Sequence, residues 1–452
     1  MELTEILKTP EGKTLEFKRD LSSPQGFIRT VTAFANTAGG IVIIGVEDNT
    51  HYVIGIQEPL DVEERIANII SDNISPLIIP EIEIIPWREA YVIAVHIYPS
   101  SNRPHFIKSM GAKEGVYIRV GSTNRKADQS TIGELERITL NQSFDELPIP
   151  ELSSEEIDFR ATSEVFAPFY ELKPKDLETL GLVTKYQGRL VPTNAGVLLF
   201  GKEREKIFPD AWIQTGRFQG IDKTNIIDSM TIHKYPVLAI EDAMAFIEKH
   251  AMRAIDIKQI RHQVRWSVPV IAIREALINS VVHADYSQHG APIRIAIFDD
   301  RIEIENPGLL RFGLTTEDIK QGLSKLRNRT IGKLFNKLGL IEQWGSGIQR
   351  ILSSCKEAGF AEPKFEEIGT HFRVTLYTEQ MIKPKVDKKD QAIIALLQSG
   401  EGLNTQIISQ KIKLSTRATR TRLIKLIELG YVVEIANSEQ DPSRLYFLSK
   451  KT

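Results

Sequence analysis

Apolar patterning in this chain of 452 residues is interrupted twice, by polar, proline-containing stretches at residues 146–156 and 381–389. Neither stretch repeats apolar residues at the spacing of a buried helix or strand, so both are predicted to be linkers. A domain usually holds about 100–200 residues, and a chain of this length therefore predicts about three or four units. We expect an α+β multidomain protein divided into residues 1–130, 131–264, 265–380 and 388–452.

Charge and cysteine content narrow the class of protein. The formal net charge is −2, so any basic surface must be local. The single cysteine, Cys355, can form neither an internal disulfide nor a cysteine zinc site, which fits a reducing compartment. The N-terminus lacks the basic start and apolar run of a signal peptide, and the longest apolar runs are strand-sized. These features predict a cytoplasmic protein without a membrane segment.

The last segment has the pattern of three helices followed by a β-hairpin. The predicted elements are a helix capped by Asp390, helices at 405–411 and 416–429, the latter capped by Ser415, and strands at 431–435 and 445–448. This order is typical of a winged helix-turn-helix domain.

Basic residues are concentrated on the second and third of these helices. Between residues 410 and 427 there is no acidic residue, and there are six cations: Lys411, Lys413, Arg417, Arg420, Arg422 and Lys425. Arginines on a helix can contact phosphates and base edges in a major groove, so the cluster predicts nucleic-acid binding. DNA is the favoured partner and RNA the alternative, and a palindromic site would imply a homodimer. The competing interpretation is a solvated helix face or a protein-docking winged helix.

Three motifs near the N-terminus occur in order at residues 10–18, 31–40 and 44–48, with the sequences PEGKTLEFK, VTAFANTAGG and IGVED. Together they resemble the Schlafen-type, AlbA-related domain over about the first 130 residues. The resemblance implies an α/β module that binds nucleic acid. The basic residues of the module that could contact phosphate are Lys18, Arg19 and Arg119. Arg119 lies in a strand that runs into a Gly-Ser turn, and its alternative role is in forming that turn alone.

Some Schlafen proteins are metal-dependent endoribonucleases that use a Glu-x4-Glu pair and a later Asp. The resemblance places these three carboxylates at Glu11, Glu16 and Asp48. Carboxylates are hard ligands for Mg²⁺ or Mn²⁺, and three of them could hold a metal ion against a phosphodiester. The alternative is that the two glutamates are ordinary surface groups and that Asp48 forms a turn.

The helix predicted around residues 274–286 places Glu275, Asn279 and His283 four residues apart, on one helix face. A Glu-x3-Asn pair suits an ATP site in which Asn binds Mg²⁺ and Glu orients water. A glycine turn at Gly345 and Gly347 then leads into a helix, whose N-terminal N–H groups can bind phosphate.

This order of motifs resembles a divergent GHKL-type ATPase domain, an α/β sandwich, over about residues 265–378. The resemblance implies that Glu275 is the catalytic base, that Asn279 holds the metal ion, and that Gly308, Gly345 and Gly347 line ATP. The family's Asp-x-Gly-x-Gly box is replaced here by the sequence Glu305-Asn306-Pro307-Gly308, with a longer acid and one glycine fewer.

Three hypotheses of function follow from the sequence. The first is an ATP-responsive DNA-binding transcriptional regulator, the type of bacterial protein in which Schlafen-type and GHKL-like domains occur together. The second is a metal-dependent endonuclease that acts on RNA or DNA through Glu11, Glu16 and Asp48. The third is a protein-docking scaffold.

Overall fold

A computed structural model describes residues 3–48, 50–256, 263–342, 345–378, 387–436, 441 and 444–449. They form two compact units, one combining Met1–Asp128 with Ile382–Thr452 and the other comprising Gln129–Met381. Among the described residues, no helix combines the length and the hydropathy needed to cross a bilayer.

The N-terminal part of the first unit is built around a four-stranded sheet. Its elements are α1 (Leu3–Leu7), β1 (Leu15–Lys18), α2 (Pro24–Asn36), β2 (Gly40–Ile44), α3 (Pro59–Asn73), β3 (Ile74–Ser75), β4 (Glu81–Trp87), β5 (Ala90–Ile97), β6 (Phe106–Ile107), α4 (Gly111–Glu114), β7 (Tyr117–Val120) and β8 (Thr123–Lys126). The sheet order is β1-β2-β5-β4, in which β1 and β2 are parallel and the other pairs antiparallel.

The turn between α2 and β2 is shaped by two glycines. Gly39 has a φ of +77°, a conformation that favours glycine, and its amide donates to the carbonyl of Phe34. A Cβ at Gly40 would lie 2.7 Å from the Phe34 ring, so only glycine lets β2 start this close to the helix. The buried face of α2 packs on the sheet, and the glycine turn fixes where the two meet.

The second unit has a six-stranded sheet with helices packed against it. Its elements are α5 (Gln129–Thr139), α6 (Phe159–Phe166), α7 (Asp176–Thr179), β9 (Val183–Tyr186), β10 (Arg189–Pro192), α8 (Asn194–Phe200), α9 (Arg204–Ile207), β11 (Ile213–Phe218), β12 (Ile226–Ile232), α10 (Pro236–Ala251), β13 (Met252–Asp256), β14 (Gln263–Trp266), α11 (Val270–His283), β15 (Ile293–Ile297), β16 (Arg301–Pro307), α12 (Thr316–Lys320), α13 (Arg329–Lys337), α14 (Gly347–Glu357), β17 (Lys364–Ile368) and β18 (His371–Tyr377). The sheet order is β12-β11-β15-β16-β18-β17, with β11 and β15 parallel.

Two interpretations of the sequence are corrected in this unit. The sheet runs across the division expected at residue 265, because β11 pairs with β15, which follows that residue, and β12 extends the same sheet by pairing with β11. The stretch at 146–156 is also not a plain linker. Short 3-10 helices lie at its two ends, at Phe144–Glu146 and Ser154–Glu156. The side chain of Asp145, directly before the stretch, is fully buried. Both corrections arise from pairing between residues distant in sequence.

The C-terminal part of the first unit is a winged helix-turn-helix. Its elements are α15 (Lys388–Leu397), α16 (Thr405–Ile412), α17 (Thr416–Glu428), β19 (Val432–Ile435) and β20 (Leu445–Leu448). Ser415 caps α17 as predicted, by accepting a hydrogen bond from the amide of Ala418. The cap of α15 is Asp387, and the prediction of Asp390 is wrong because that residue lies inside the helix and is buried. Part of the linker predicted at 381–389, up to residue 386, lies outside the described residues.

The hairpin of the winged helix packs on the N-terminal module of the same unit. Ile435 and Phe447 share one apolar cluster with Leu7 and Phe17. The ammonium group of Lys8 lies 4.1 Å from the centre of the Phe447 ring. The two modules of the first unit are therefore joined through a continuous apolar core.

Candidate nucleic-acid and nucleotide sites

Four of the six cations predicted on the winged helix are exposed and free of partners. They are Lys411, Lys413, Arg417 and Arg420, and no hydrogen bond or ion pair joins their side chains to another described residue. Arg417 and Arg420 lie three residues apart on α17, and hence on one face of that helix. This arrangement leaves their charge available to a polyanion.

The other two cations are bound by acidic residues at the start of α15. Arg422 Nη1 lies 2.6 Å from Asp387 Oδ2 and 2.6 Å from Asp390 Oδ1. Lys425 Nζ lies 2.9 Å from Asp390 Oδ2. The hydrogen bond from Arg422 holds the pKa of Asp387 at about 2. Arg422 and Lys425 were both expected to contact nucleic acid. Arg422 is instead paired with acidic residues of the winged helix, and Lys425 is half-exposed and already paired.

Glu16 and Arg119 form a buried ion pair in the N-terminal module. Arg119 Nη2 lies 2.6 Å from Glu16 Oε2, and Lys18 Nζ lies 2.5 Å from the other carboxylate oxygen. The Arg119 side chain is 1% exposed, which corrects the expectation that it contacts phosphate. Its Nε also donates to the carbonyl oxygen of Gly12, at 3.0 Å. Arg119 thus joins β7 to the loop and strand that carry the first motif.

A hydrogen-bonded chain continues this pair into α2. Asn124 accepts a hydrogen bond from Arg119 Nη1 at 2.9 Å and donates to Thr30 Oγ1 at 2.8 Å. Thr30 in turn lies 3.5 Å from Glu16 Oε1. Each polar group of this buried network has a partner, so the network positions the first motif against α2 and β8.

Glu11 lies beside both other predicted metal ligands. Its Oε1 accepts a hydrogen bond from the amide of Phe17 at 2.6 Å. Burial, with the nearby charges of Glu16 and Asp48 and a hydrogen bond to Asp48, raises the pKa of Glu11 to about 7. The predicted phosphate ligand Arg19 is exposed and lies 3.7 Å from Glu47 Oε1.

Whether the three carboxylates can hold a metal ion depends on which of their oxygen atoms are free. Both oxygens of Glu16 are already bound by the cations of Lys18 and Arg119, so only Glu11 and Asp48 have oxygens to offer. Within the described part of the chain, no group of three His, Cys, Asp or Glu side chains is arranged to hold a metal ion. The predicted set of three ligands therefore does not fit Mg²⁺ or Mn²⁺ in this arrangement.

In the second unit, Glu275 and Asn279 lie on α11 under the N-terminus of α14. A Cβ placed at Gly347, the first residue of α14, would lie 3.0 Å from Glu275 Oε2 and 3.3 Å from Asn279 Nδ2. The glycine lets the helix N-terminus approach the two polar side chains directly. Gly345 precedes it with a φ of +67°. The structure thus brings together Glu275, Asn279 and the glycine turn, which the sequence analysis assigned to one nucleotide site.

Glu275 is buried and surrounded by arginine. Arg274 Nη1 lies 3.2 Å and Arg350 Nη2 lies 3.5 Å from its Oε1. Arg350 also pairs with Glu342 at 2.6 Å, so its charge is shared between two carboxylates. An anion placed at the start of α14 would meet N–H groups of the helix and a neighbouring arginine.

The predicted adenine box is folded into the sheet and its following turn. Arg373 donates two hydrogen bonds to Glu305 Oε2, at 3.0 and 2.7 Å, and these lower the pKa of Glu305 despite its burial. Asn306 is buried. Gly308 has a φ of +98°, and a Cβ there would lie 2.9 Å from Asp285 Cβ. The Glu305 carboxylate is therefore occupied by Arg373 of the neighbouring strand, and this arrangement does not support a role in adenine recognition.

Near this box lies a cluster of buried charged side chains that the sequence analysis did not predict. Arg327 Nη1 lies 2.5 Å and Arg311 Nη1 lies 3.3 Å from Glu134 Oε1, and Arg327 also lies 3.8 Å from Asp285 Oδ2. Burial, together with the two arginine charges, lowers the pKa of His283 to about 4. The basic loop around residue 327 is visible in the sequence, but its partner Glu134 lies more than 170 residues away.

Three family models match successive parts of the chain. Residues 11–128 match "Schlafen, AlbA_2", residues 290–376 match "Putative ATP-dependent DNA helicase recG C-terminal", and residues 386–433 match "Winged helix-turn-helix DNA-binding". The matches confirm the predicted order of a Schlafen/AlbA-type domain, an ATPase-like domain and a winged helix. They also identify the C-terminal domain as a DNA-binding type.

Solved structures offer only distant likenesses. A crystal structure of a protein from Corynebacterium diphtheriae is 18% identical, with a TM-score of 0.45, and covers 96% of this chain and 92% of its own. The solution structure of the N-terminal domain of a RecG-related protein from Nitrosomonas europaea is 23% identical, with a TM-score of 0.24, and covers 28% of this chain and 94% of that domain. No curated protein matches the chain. At these TM-scores neither structure supports an argument about function.

Proposed function

We propose that this chain is an ATP-responsive DNA-binding protein that regulates transcription. The exposed cations of the winged helix bind duplex DNA, and the region around Glu275, Asn279 and Gly347 binds ATP with Mg²⁺. Occupancy of the nucleotide site shifts the population between states of different DNA affinity.

The observation that carries the proposal is the division of the six winged-helix cations. Asp387 and Asp390 neutralise Arg422 and Lys425, whereas the four cations Lys411, Lys413, Arg417 and Arg420 have no acidic partner in the described chain. A net charge of −2 makes such a local excess of positive charge a specific feature. Cations on the exposed face of a recognition helix release counterions when they meet phosphates, which favours binding.

The nucleotide part of the proposal rests on the approach of α14 to α11. Asn279 has an amide oxygen suited to Mg²⁺, and the N-terminal N–H groups of α14 are suited to phosphate. Glu275 would orient a water molecule, the role that the resemblance to GHKL-type ATPases implies for it. The match to an ATPase-like domain begins after this helix, at residue 290. When bound, Mg²⁺ would neutralise phosphate charge, and this chain would supply its orientation through Asn279.

The DNA-binding part is tested with Arg417→Ala/Arg420→Ala in the full chain. Binding of a labelled duplex is measured by fluorescence anisotropy across a salt series. Each lost phosphate contact reduces the slope of log K against log salt by about 0.9, so we expect the slope to fall by about 1.8 and the low-salt affinity to drop.

The control removes the same charge from the other unit. Lys173→Ala/Lys175→Ala changes two exposed lysines that lie outside the winged helix, and we expect it to leave both slope and affinity unchanged. Equal behaviour of the two double variants would reject α17 as the DNA-binding surface. Absence of duplex binding by the wild type at low salt would reject the proposal as a whole.

A metal-dependent endonuclease is the second candidate, and the contact between Glu11 and Asp48 is the observation in its favour. The ion pairs of Glu16 leave the three-ligand set incomplete, so no step of cleavage is derived. The wild type and Glu11→Gln/Asp48→Asn are incubated with tRNA and with duplex DNA in the presence of Mn²⁺. If the wild type does not cleave, or if the variant cleaves equally, this candidate is rejected.

A further inference from the structure

Buried charges join the segment that follows the N-terminal module to one part of the ATPase-like domain. That part lies between the glycine turn at Gly308 and the glycine turn at Gly345 and Gly347. We call residues 129–146 the connector and residues 309–342 the cap segment. The connector begins with α5 at Gln129, directly after Asp128, the last residue of the N-terminal module. Its contacts with the cap segment lie within the second unit.

The strongest of these contacts is the pairing of one glutamate with two arginines. Glu134 of α5 is buried and accepts from Arg327 at 2.5 Å and from Arg311 at 3.3 Å. Both arginines belong to the cap segment and are themselves mostly buried. We call these three residues the latch. A buried charge needs its partner, because water cannot replace the lost interaction.

Two further contacts tie the connector to α13 of the cap segment. Asp145 accepts backbone hydrogen bonds from Arg329 at 3.1 Å and from Ile331 at 2.9 Å, and so caps a helix whose own Asn328 makes no side-chain cap. The Arg329 side chain donates to the carbonyl and side-chain oxygens of Asn141, at 2.9 and 2.5 Å. The cap segment is therefore built partly from connector side chains.

Arg327 of the latch also contacts the turn at residues 308–309, whose Gly308 the resemblance to GHKL-type ATPases places beside ATP. Arg327 Nη2 donates to the carbonyl of Leu309 at 2.6 Å, and a Cβ at Gly308 would lie 3.1 Å from Arg327 Cζ. Because Arg327 is packed on Gly308 and Leu309 while paired with Glu134, a shift of the turn displaces the latch. The same guanidinium group thus contacts the nucleotide turn and the helix that leads out of the domain.

We propose that the latch transmits nucleotide occupancy to the connector, and through the connector to the DNA-binding unit. ATP moves the cap segment, the pairing of Arg311 and Arg327 with Glu134 is strengthened or broken, and α5 changes its stability. This inference rests on the proposed function, since it requires both ATP and duplex binding. It names the residues that couple the two.

The first test uses the wild-type chain and requires no substitution. Amide hydrogen exchange is measured across Gln129–Thr139 with and without ATP and Mg²⁺. We expect the exchange rates of α5 to change at least fivefold on nucleotide addition. Helix α10, whose described side chains form no hydrogen bond or ion pair with the latch, should keep its rates. Unchanged exchange in α5, in a protein that a thermal shift shows to bind ATP, would overturn the latch.

The second test compares two glutamates of the same helix. Glu134→Gln removes the latch charge at constant size, and Glu136→Gln removes an exposed charge two residues away. Duplex affinity is measured for each with and without ATP and Mg²⁺. Coupling between sites is typically about 5–150-fold, so we expect at least a fivefold effect of ATP in the wild type and in Glu136→Gln, and less than twofold in Glu134→Gln.

The outcomes separate the inference from the function on which it rests. If the wild type fails to bind ATP or duplex, the proposed function fails and the latch with it. If the wild type binds both without any effect of ATP on duplex affinity, the ATP-responsive part of the proposed function fails and the latch with it. If ATP changes duplex affinity in the wild type and Glu134→Gln keeps the full effect, only the latch is overturned. Should Glu134→Gln not fold, the exchange measurement on the wild type decides.

Discussion

Arg422 Nη1 lies 2.6 Å from Asp390 Oδ1, so this arginine of the recognition helix α17 is already paired within the winged helix. Asp390 is fully buried, and its second oxygen binds Lys425. The pair connects α15 to α17 and holds the recognition helix in place. It also reduces the surface expected to bind phosphates from six cations to four.

We predict that Asp390→Asn destabilises the winged helix by about 2–4 kcal/mol, because the amide leaves the charge of Arg422 without its buried partner. The measurement is the free energy of opening from amide exchange in α17. Glu428→Gln, an exposed acid on the same helix, should change it by less than about 0.5 kcal/mol. Equal effects of the two substitutions would show that the buried pair does not stabilise the domain.

We predict that Asn279→Ala abolishes the thermal stabilisation of the wild type by ATP with Mg²⁺, because the amide oxygen that would hold the ion is lost. Ligand at about 100 times its Kd stabilises a protein by about 2.7 kcal/mol. The melting temperature is measured with and without nucleotide. Asn225→Ala, an exposed asparagine of the same unit, should keep the shift. A full shift in Asn279→Ala would exclude this residue from the site.

We predict that Gly347→Ala weakens nucleotide binding while the domain stays folded. The added Cβ would lie 3.0 Å from Glu275 Oε2 and 3.3 Å from Asn279 Nδ2, so these side chains or the helix N-terminus must shift by a few tenths of an ångström, at a cost of about 1–3 kcal/mol. Titration of labelled ATP measures the affinity. Gly26→Ala is the matched control, since a Cβ there meets nothing within 4 Å. Unaltered affinity in Gly347→Ala would mean that α14 does not approach the ligand.

We predict that Glu11→Gln removes a pH dependence of the N-terminal module. The folded pKa of Glu11, about 7, exceeds the ordinary 4.5, so the native state binds the proton more tightly. Its contribution to stability is present below about pH 4.5 and is lost as pH rises towards 7. Because Glu11 is only partly buried and solvent screens its charge, the effect is on the order of 1 kcal/mol. Urea unfolding at pH 5 and pH 8 measures it.

This prediction is decided by how much the free energy of unfolding changes between pH 5 and pH 8 in each protein. The wild type should lose more stability than Glu11→Gln between pH 5 and pH 8, and the glutamine variant should be the more stable protein at pH 8. Gln keeps an oxygen that can accept from the Phe17 amide, so that hydrogen bond is not the variable. Identical pH profiles would show that Glu11 ionises normally.

The sequence by itself determined the order and type of the three matched domains, because local patterns carry that information. Helix α17 illustrates this, since its cap Ser415 and its apolar spacing are features of consecutive residues. The proximity of Glu275 to Asn279 was equally readable, because helical spacing alone puts the two on one face. Charge clustering on the winged helix was visible for the same reason.

Only the tertiary structure decided which charges are free. Arg119 and Glu16 are 103 positions apart, and Glu134 and Arg311 are 177 apart, so no local pattern reveals that each pair is buried together. The same holds for the sheet that runs across residue 265, whose strands pair over long separations. The physical reason is that a charge keeps or loses its availability to a ligand through partners that the folded chain, and not the neighbouring sequence, brings within hydrogen-bonding distance.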